Sequence, residues 1–335
     1  MPGLPISDFS ANLFTVPGTL LWLALAATAL FLDFVAGQYI NRYMPSLDTL
    51  FKHFTQFTVK KLDRPSRTLS ALRLRGFIVV GLGLPMTFFA GLLLNYLMVQ
   101  SPYALLGAAG LLIPLLGQKE GLQRIIITGR QLENTQDNDP HHIVRTAGAK
   151  AVLDFATKLV PRTLWWCLGG FAFLLPQILL DTSIDEAEKR QSGYPESPFF
   201  SVASILHEIT TAPPAIAAAA LIALAHFFIP GTNLAVFKAF TSYKASFYGP
   251  ASRYFPINVI ATGLDLSLEA TASEKSGSKK LSDKAIRWIG PKDGRAQLLP
   301  ADLKQIWLVT LVAFALYVLI ATMIFALLLL NGTAQ

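Results

Sequence analysis

An all-α, polytopic membrane bundle of about six transmembrane helices is the fold class the sequence predicts, on three observations. Hydrophobic residues make up 53% of the 335 residues and charged ones only 15%, where a soluble domain carries about 25% charged residues. Uninterrupted apolar runs recur along the chain, several of them at the length a bilayer crossing needs, about 20 residues. Within lipid only helices and closed barrels satisfy their own backbone groups. Finally, Lys and Arg crowd the segments between some runs and are nearly missing from others, which is the asymmetry that sorts loops to the cytoplasmic side.

The first run, 14–36, follows thirteen residues without Lys or Arg. A secretory signal opens on positive charge, so this run reads as a retained span. Residues 41–76, NRYMPSLDTLFKHFTQFTVKKLDRPSRTLSALRLRG, then hold eight Lys or Arg against two acids, Asp48 and Asp63. Leu47, Leu50, Phe51, Phe54, Phe57 and Leu62 recur there at helical spacing, with Asp48, Lys52, His53, Gln56 and Lys60 on the other face. That pattern suits a helix in the inner headgroup layer, or one packed on the protein's own cytoplasmic part. The second span is 76–99. Gln100-Ser101-Pro102 breaks it, and 103–117 follows as a short third span, with a re-entrant hairpin as the alternative.

In the loop 118–158, Gly121, Gly129 and the run Leu122, Arg124 to Ile127 suggest a short helix. Asp139 and Pro140 read as the N-cap and first residue of a second helix through Ile143, Ala147, Ala151 and Phe155. The fourth span is 159–180 and the fifth 212–229, starting as early as Val202. The polar stretch 271–284, TASEKSGSKKLSDK, reads as a flexible loop, and 306–330 is the sixth span.

Charge counting orients these spans. With both termini outside, the cytoplasmic segments 37–75, 118–158 and 230–305 hold eight, six and eleven Lys or Arg. The external segments 1–13, 100–102, 181–211 and 331–335 hold only Lys189 and Arg190, and Arg162 sits at the inner edge of the fourth span. Dropping the third span would put the six basic residues of 118–158 outside, so it counts as a crossing. The expected setting is the inner cell membrane, multi-pass, with the large loops cytoplasmic. The net charge of +7 belongs to these loops and argues for a lipid surface rather than nucleic acid. The expected partners are the lipid bilayer and a protein subunit or a second copy of the chain. The single cysteine, Cys167, excludes an internal disulfide and a cysteine metal site. No internal repeat of the inverted-transporter kind is present.

Motifs for chemistry are sparse. Neither Gly-x4-Gly-Lys-Ser/Thr nor Gly-x-Gly-x-x-Gly occurs. His141 and His142 are neighbours on a helix start and point about 100° apart, so they do not share a metal, and no metal site is expected. His207-Glu208 read as interfacial polar residues. Asp33, Arg162 and His226 fall at similar depth near the inner ends of three spans. Ionisable groups there are costly unless paired. They either converge on a polar pocket open to the cytoplasm, with Asp33 paired to Arg162, or snorkel separately to the interface.

The tail Trp288-Ile289-Gly290-Pro291-Lys292-Asp293-Gly294-Arg295, with Leu299-Pro300-Ala301-Asp302-Leu303-Lys304 leading into an apolar span, resembles that of the CobD/CbiB membrane proteins of cobalamin biosynthesis. Leu32-Asp33 with Gly37, Arg73-Leu74-Arg75-Gly76, Gly129-Arg130, Pro161 with Leu168-Gly169-Gly170, and Pro256 with Ala261 to Leu264 resemble further family motifs in the same order. The resemblance implies an ATP-dependent amide synthesis joining adenosylcobyric acid to an aminopropanol (phosphate). It also marks departures. Gly37-Gln38-Tyr39, Met44-Pro45-Ser46, residues 148–158, Ser252 to Ile257, His207-Glu208 and Ile216 stand where the family has acids, amides, a histidine and an arginine.

Magnesium-phosphate chemistry needs such groups, so the resemblance implies a catalytically degenerate paralogue, a pseudoenzyme acting as scaffold, regulator or subunit. In this it is similar to AmpE, a signalling relative, which Ile205-Leu206-His207 and the Ala-rich span after it also resemble. The alternative is a cobalamin-pathway enzyme with a site rebuilt from Asp33, Asp154, Glu208, Asp293 and Asp302. Only that alternative calls for ATP, magnesium and a corrinoid; no other cofactor is expected. The residues singled out for function are Asp33, Arg162, His226, Asp293 and Asp302. A small-solute transporter is disfavoured by the lack of repeats and of polar groups at mid-bilayer.

Overall fold

A computed structural model describes residues 23–29, 32, 47–63, 68–100, 107–108, 110–113, 115, 140–190, 198–240, 250–270, 288–291 and 293–332. Eight helices carry most of them: α1 Leu47–Leu62, α2 Leu69–Gln100, α3 Pro140–Leu153, α4 Val160–Gly169, α5 Phe171–Arg190, α6 Ser201–Ala225, α7 Ala251–Gly263 and α8 Pro300–Gly332. The only paired strands among the described residues are two-residue β1 Glu269–Ala270 and β2 Trp288–Ile289, which run antiparallel. The protein is therefore a helical bundle. Three of its helical stretches, Leu69–Met98, Ser201–Phe228 and Pro300–Leu327, are long and apolar enough to cross a membrane. They correspond to the second, fifth and sixth predicted spans. The first and third spans, 14–36 and 103–117, lie largely outside the described residues. The short helix expected at 121–129 and the polar stretch 271–284 lie outside them altogether.

The rod that organises the bundle is built from α3, a π-helical segment Asp154–Leu159, and α4. The wide turn has a local cause in Pro161, which lacks an N–H and whose ring crowds the preceding turn. Just before it, the Val160 N–H bonds back five residues to the Phe155 carbonyl, so the helix loosens without ending.

At the far end of the rod the fourth predicted span departs from expectation. Residues 159–180 do not form one crossing helix. Gly170 takes φ +59°, a left-handed conformation open to glycine, and the chain turns back as α5. Arg162 Nε lies 2.8 Å from Asp181 Oδ2. One continuous helix would hold those residues about 28 Å apart. The turn is fastened from outside by Asn95 of α2, fully buried, whose amide donates to the Gly169 carbonyl and accepts the Phe171 N–H, both at 2.9 Å. These are backbone groups that a helix end leaves without intrahelical partners. Gly91 lets α2 approach this turn. A Cβ there would stand 2.3 Å from the Phe171 carbonyl oxygen.

The hairpin corrects the predicted topology. Lys158 meets Asp185 at 3.1 Å, and Gln56 of α1 donates to Glu186 at 3.4 Å. Residues 181–190, expected outside, therefore sit beside 47–62 and 154–162, expected inside. One face of a bilayer cannot separate side chains in contact.

Helix α1 buries Phe51, Thr55 and Val59, one helical stripe at i, i+4 and i+8. Val59 packs with Ala187, Phe199 and Phe200. Of the two settings its amphipathic pattern allowed, it adopts the one packed on the protein itself, with Leu50, Phe54 and Phe57 left exposed. The central core gathers Phe155, Leu159, Trp166, Leu174, Ile178, Ile222, Ile257, Ile260 and Ile306. Helix α6 contributes a face of small residues, Ala215, Ala218, Ala219 and Ala223, all fully buried. By contrast, α2 and α8 leave Leu82, Met86, Phe89, Leu93, Leu319, Met323 and Leu327 exposed, an apolar perimeter of the kind lipid covers.

Candidate functional site

Because α4 and α5 return on each other, the polar residues at the base of their hairpin meet in one buried layer. Arg162 is its centre, 5% exposed. Its Nε donates to Asp181 Oδ2 at 2.8 Å, and its Nη1 donates both to Asp48 Oδ2 at 3.1 Å and to the Leu115 carbonyl at 2.8 Å. Asp181, 3% exposed, also accepts from Gln177 Nε2 at 2.8 Å, and Gln177 donates its second hydrogen to Thr211 Oγ1 at 3.0 Å. His207 of α6 places Nε2 at 3.3 Å from Asp181 Oδ1. Its Nδ1 is buried and finds no partner among the described residues, and neither does Asp48 Oδ1. One turn below, Lys158 bridges Asp154 and Asp185.

Proline chemistry positions α6 over this layer. Pro214 has no N–H, so the Thr210 carbonyl four residues earlier loses its helical donor. The Trp165 indole of α4 takes that place at 3.3 Å. The layer thus joins α1, α4, α5 and α6 through charge-assisted and neutral hydrogen bonds, the stronger kind where a guanidinium meets a carboxylate.

Its depth is also set by packing. Leu180, next to Asp181, packs with Val80 and Leu84 of α2. Those residues stand about 16–23 Å from the start of a helix about 48 Å long. Charged side chains therefore occupy the mid-height of the longest apolar helices, where the sequence suggested none.

The predicted site residues that the structure describes are dispersed. Asp33 lies outside the described residues. His226 is 1% exposed, both its ring nitrogens lack a partner among the described residues, and it packs on Gly263, where a Cβ would come within 2.2 Å of the imidazole. It is nineteen residues beyond His207 along the α6 stretch, about 28 Å of helix rise, so Arg162 and His226 do not converge. Asp293 is exposed on a turn. Asp302 is structural in its bonding: Oδ2 accepts the Leu299 N–H and Oδ1 accepts from Arg295 Nη2, both at 2.8 Å. That is a carboxylate reaching back over the first turn of α8 in the manner of a capping box. Of the rebuilt-site acids, Asp154 faces Lys158 and Glu208 accepts from the Ser252 backbone and hydroxyl at the start of α7.

The partners of Arg162 were missed because they are 114 and 19 residues away in sequence. The available signal was Gly169-Gly170, a pair able to turn the chain and bring Asp181 back to Arg162. A magnesium–nucleotide site needs carboxylates free to take metal. Here Asp48 and Asp181 share a guanidinium, Asp154 and Asp185 share an ammonium, and Glu208 and Asp302 hold helix starts; Asp293 is exposed, but no cluster of ligating side chains forms among the described residues, which therefore do not fit that group. Comparison with protein-family models, with curated proteins and with solved structures finds no match to the chain.

Proposed function

We propose that this chain is a non-enzymatic membrane protein of the CobD/CbiB type, acting as a scaffold or regulatory subunit. It would sit in the inner membrane with the end bearing Lys60, Lys61, Arg73 and Arg75 toward the cytoplasm, as the distribution of positive charge favours. The observation that carries this reading is the use made of Arg162. Its guanidinium is spent on tying α1 and α5 to α4, and the neighbouring acids are spent on it or on Lys158. A catalyst for amide formation must instead keep polar groups aimed at substrate and developing charge. A buried ion pair is weak evidence for net stability; here it fixes how α1 and α5 meet α4, which suits a subunit that presents a fixed surface.

Two assays run together test the reading. The chain is expressed in a cobalamin auxotroph lacking the amide-forming enzyme, and corrinoid intermediates are quantified. In parallel, the protein is purified from its native membrane with its bound proteins. The expected result is no restored product, together with a stoichiometric protein partner. Restored product at wild-type yield would establish the enzyme instead.

A further inference from the structure

We propose that His207 and Asp181 form a proton-binding site inside the bundle, and that its occupancy decides how firmly α1 is held. This goes beyond the scaffold reading: to the Arg162 pairing used there it adds a charge imbalance and a vacant imidazole nitrogen, both in the same buried layer.

Two carboxylates, Asp48 and Asp181, bear on the one guanidinium of Arg162. With all three ionised the cluster carries one uncompensated negative charge, and a buried charge without a partner is strongly unfavourable. His207 is the fourth member, with its side chain 9% exposed. Asp181 is an acceptor, so a neutral His207 must carry its hydrogen on Nε2, facing Oδ1. That leaves Nδ1 as a bare acceptor, and it is the nitrogen without a partner among the described residues. A proton arriving from solvent binds there, no other bond breaks, and the imidazolium balances the cluster.

Toward His207, helix α5 presents Asp181 and the amide of Gln177, α4 presents Arg162, and α1 presents Asp48 beyond it. Lys158 lies one turn below with Asp154 and Asp185. On its own helix, Glu208 is bonded to Ser252 of α7. Tyr317 of α8 is bonded to Thr163. Helix α2 meets this part of α6 with apolar Val80 and Leu84. Lys158 also bears on Asp181 through space, but Asp154 and Asp185 share its charge, so the layer stays short of positive charge.

With the proton bound, Asp181 is neutralised by two cations and Arg162 is freer to hold Asp48. Without it, both carboxylates draw on one guanidinium and repel each other. Asp48 lies in the first turn of α1, so the cost falls on that helix's hold on the core.

The test uses the full chain in nanodiscs of phosphatidylethanolamine and phosphatidylglycerol, between about pH 5 and 8, where a histidine changes charge. Histidine-labelled NMR reads the protonation of His207, assigned by its loss in His207→Gln. Amide exchange of α1, corrected for intrinsic rate, reads the consequence. The expected result is that His207 takes up a proton in this range. Protection of α1 then falls about tenfold as pH rises through that transition, and His207→Gln, which keeps an amide donor toward Asp181, abolishes the pH response. A His207 that stays neutral across the range overturns the proposal by the wild-type spectrum alone. So does an α1 whose pH response is unchanged in His207→Gln.

Discussion

Replacing Lys158 and Asp185 by cysteine, in a Cys167→Ser background, tests the hairpin directly. In the folded protein their charged ends are 3.1 Å apart, with the side chains 33% and 27% exposed. A partly exposed pair of this kind contributes at most about 1 kcal/mol, so its removal leaves the fold intact. Had 159–180 crossed as a single helix, the same positions would stand about 40 Å apart. A short bismaleimide applied to membranes must therefore join them in the first geometry and cannot in the second. Trypsin cleaves at Arg162, between the two sites, so the linked peptides appear as one species by mass spectrometry. The pair Asp154→Cys and Lys158→Cys, on one helix in both geometries, reports whether the reagent reaches this layer. A linked control with an unlinked test pair would refute the hairpin and restore a crossing helix.

Three further outcomes follow from the same geometry. Arg162→Met strands two carboxylates and should lower stability by about 3–5 kcal/mol, whereas Arg162→Met with Asp181→Leu should cost less than the two single changes summed; unfolding in mixed micelles followed by tryptophan fluorescence measures both. Asn95→Leu leaves the Gly169 carbonyl and Phe171 N–H without partners, at about 1–3 kcal/mol for each group. Trp165 and Trp166, whose rings touch Phe173 and Phe171 beside that turn, should report its loosening. Asp302→Ala removes the bond to the Leu299 N–H and should destabilise by about 1 kcal/mol, with faster amide exchange confined to the first turn of α8.

The buried layer explains why the bundle tolerates charge at the mid-height of its apolar helices. Ionisable groups in such surroundings persist when they pair with one another or with backbone carbonyls, and Arg162 does both. Its five donors in a planar fork suit several acceptors at once. A lysine would supply the charge without the fork, so Arg162→Lys should leave Asp48 or the Leu115 carbonyl unserved.

Helical class, the apolar runs behind α2, α6 and α8, the start of α3 at Pro140 and the amphipathic stripe of α1 were all determined by the sequence alone. Each depends on residues within a few turns of one another, where hydropathy, period and proline act locally. The turn at Gly169-Gly170, by contrast, depends on Asn95, 74 residues earlier. The same apolar composition suits a crossing helix and a buried hairpin equally well. Positive-charge counting failed at 181–190 for a related reason. It weighs Lys and Arg and is nearly blind to acids, while Asp181, Asp185 and Glu186 are what draw that segment back to Arg162, Lys158 and Gln56. Which carboxylate meets which cation is a matter of long-range packing. Only the tertiary structure, by closing loops that carry no local pattern of their own, decided that Arg162 meets Asp181 and Asp48 and stands apart from His226.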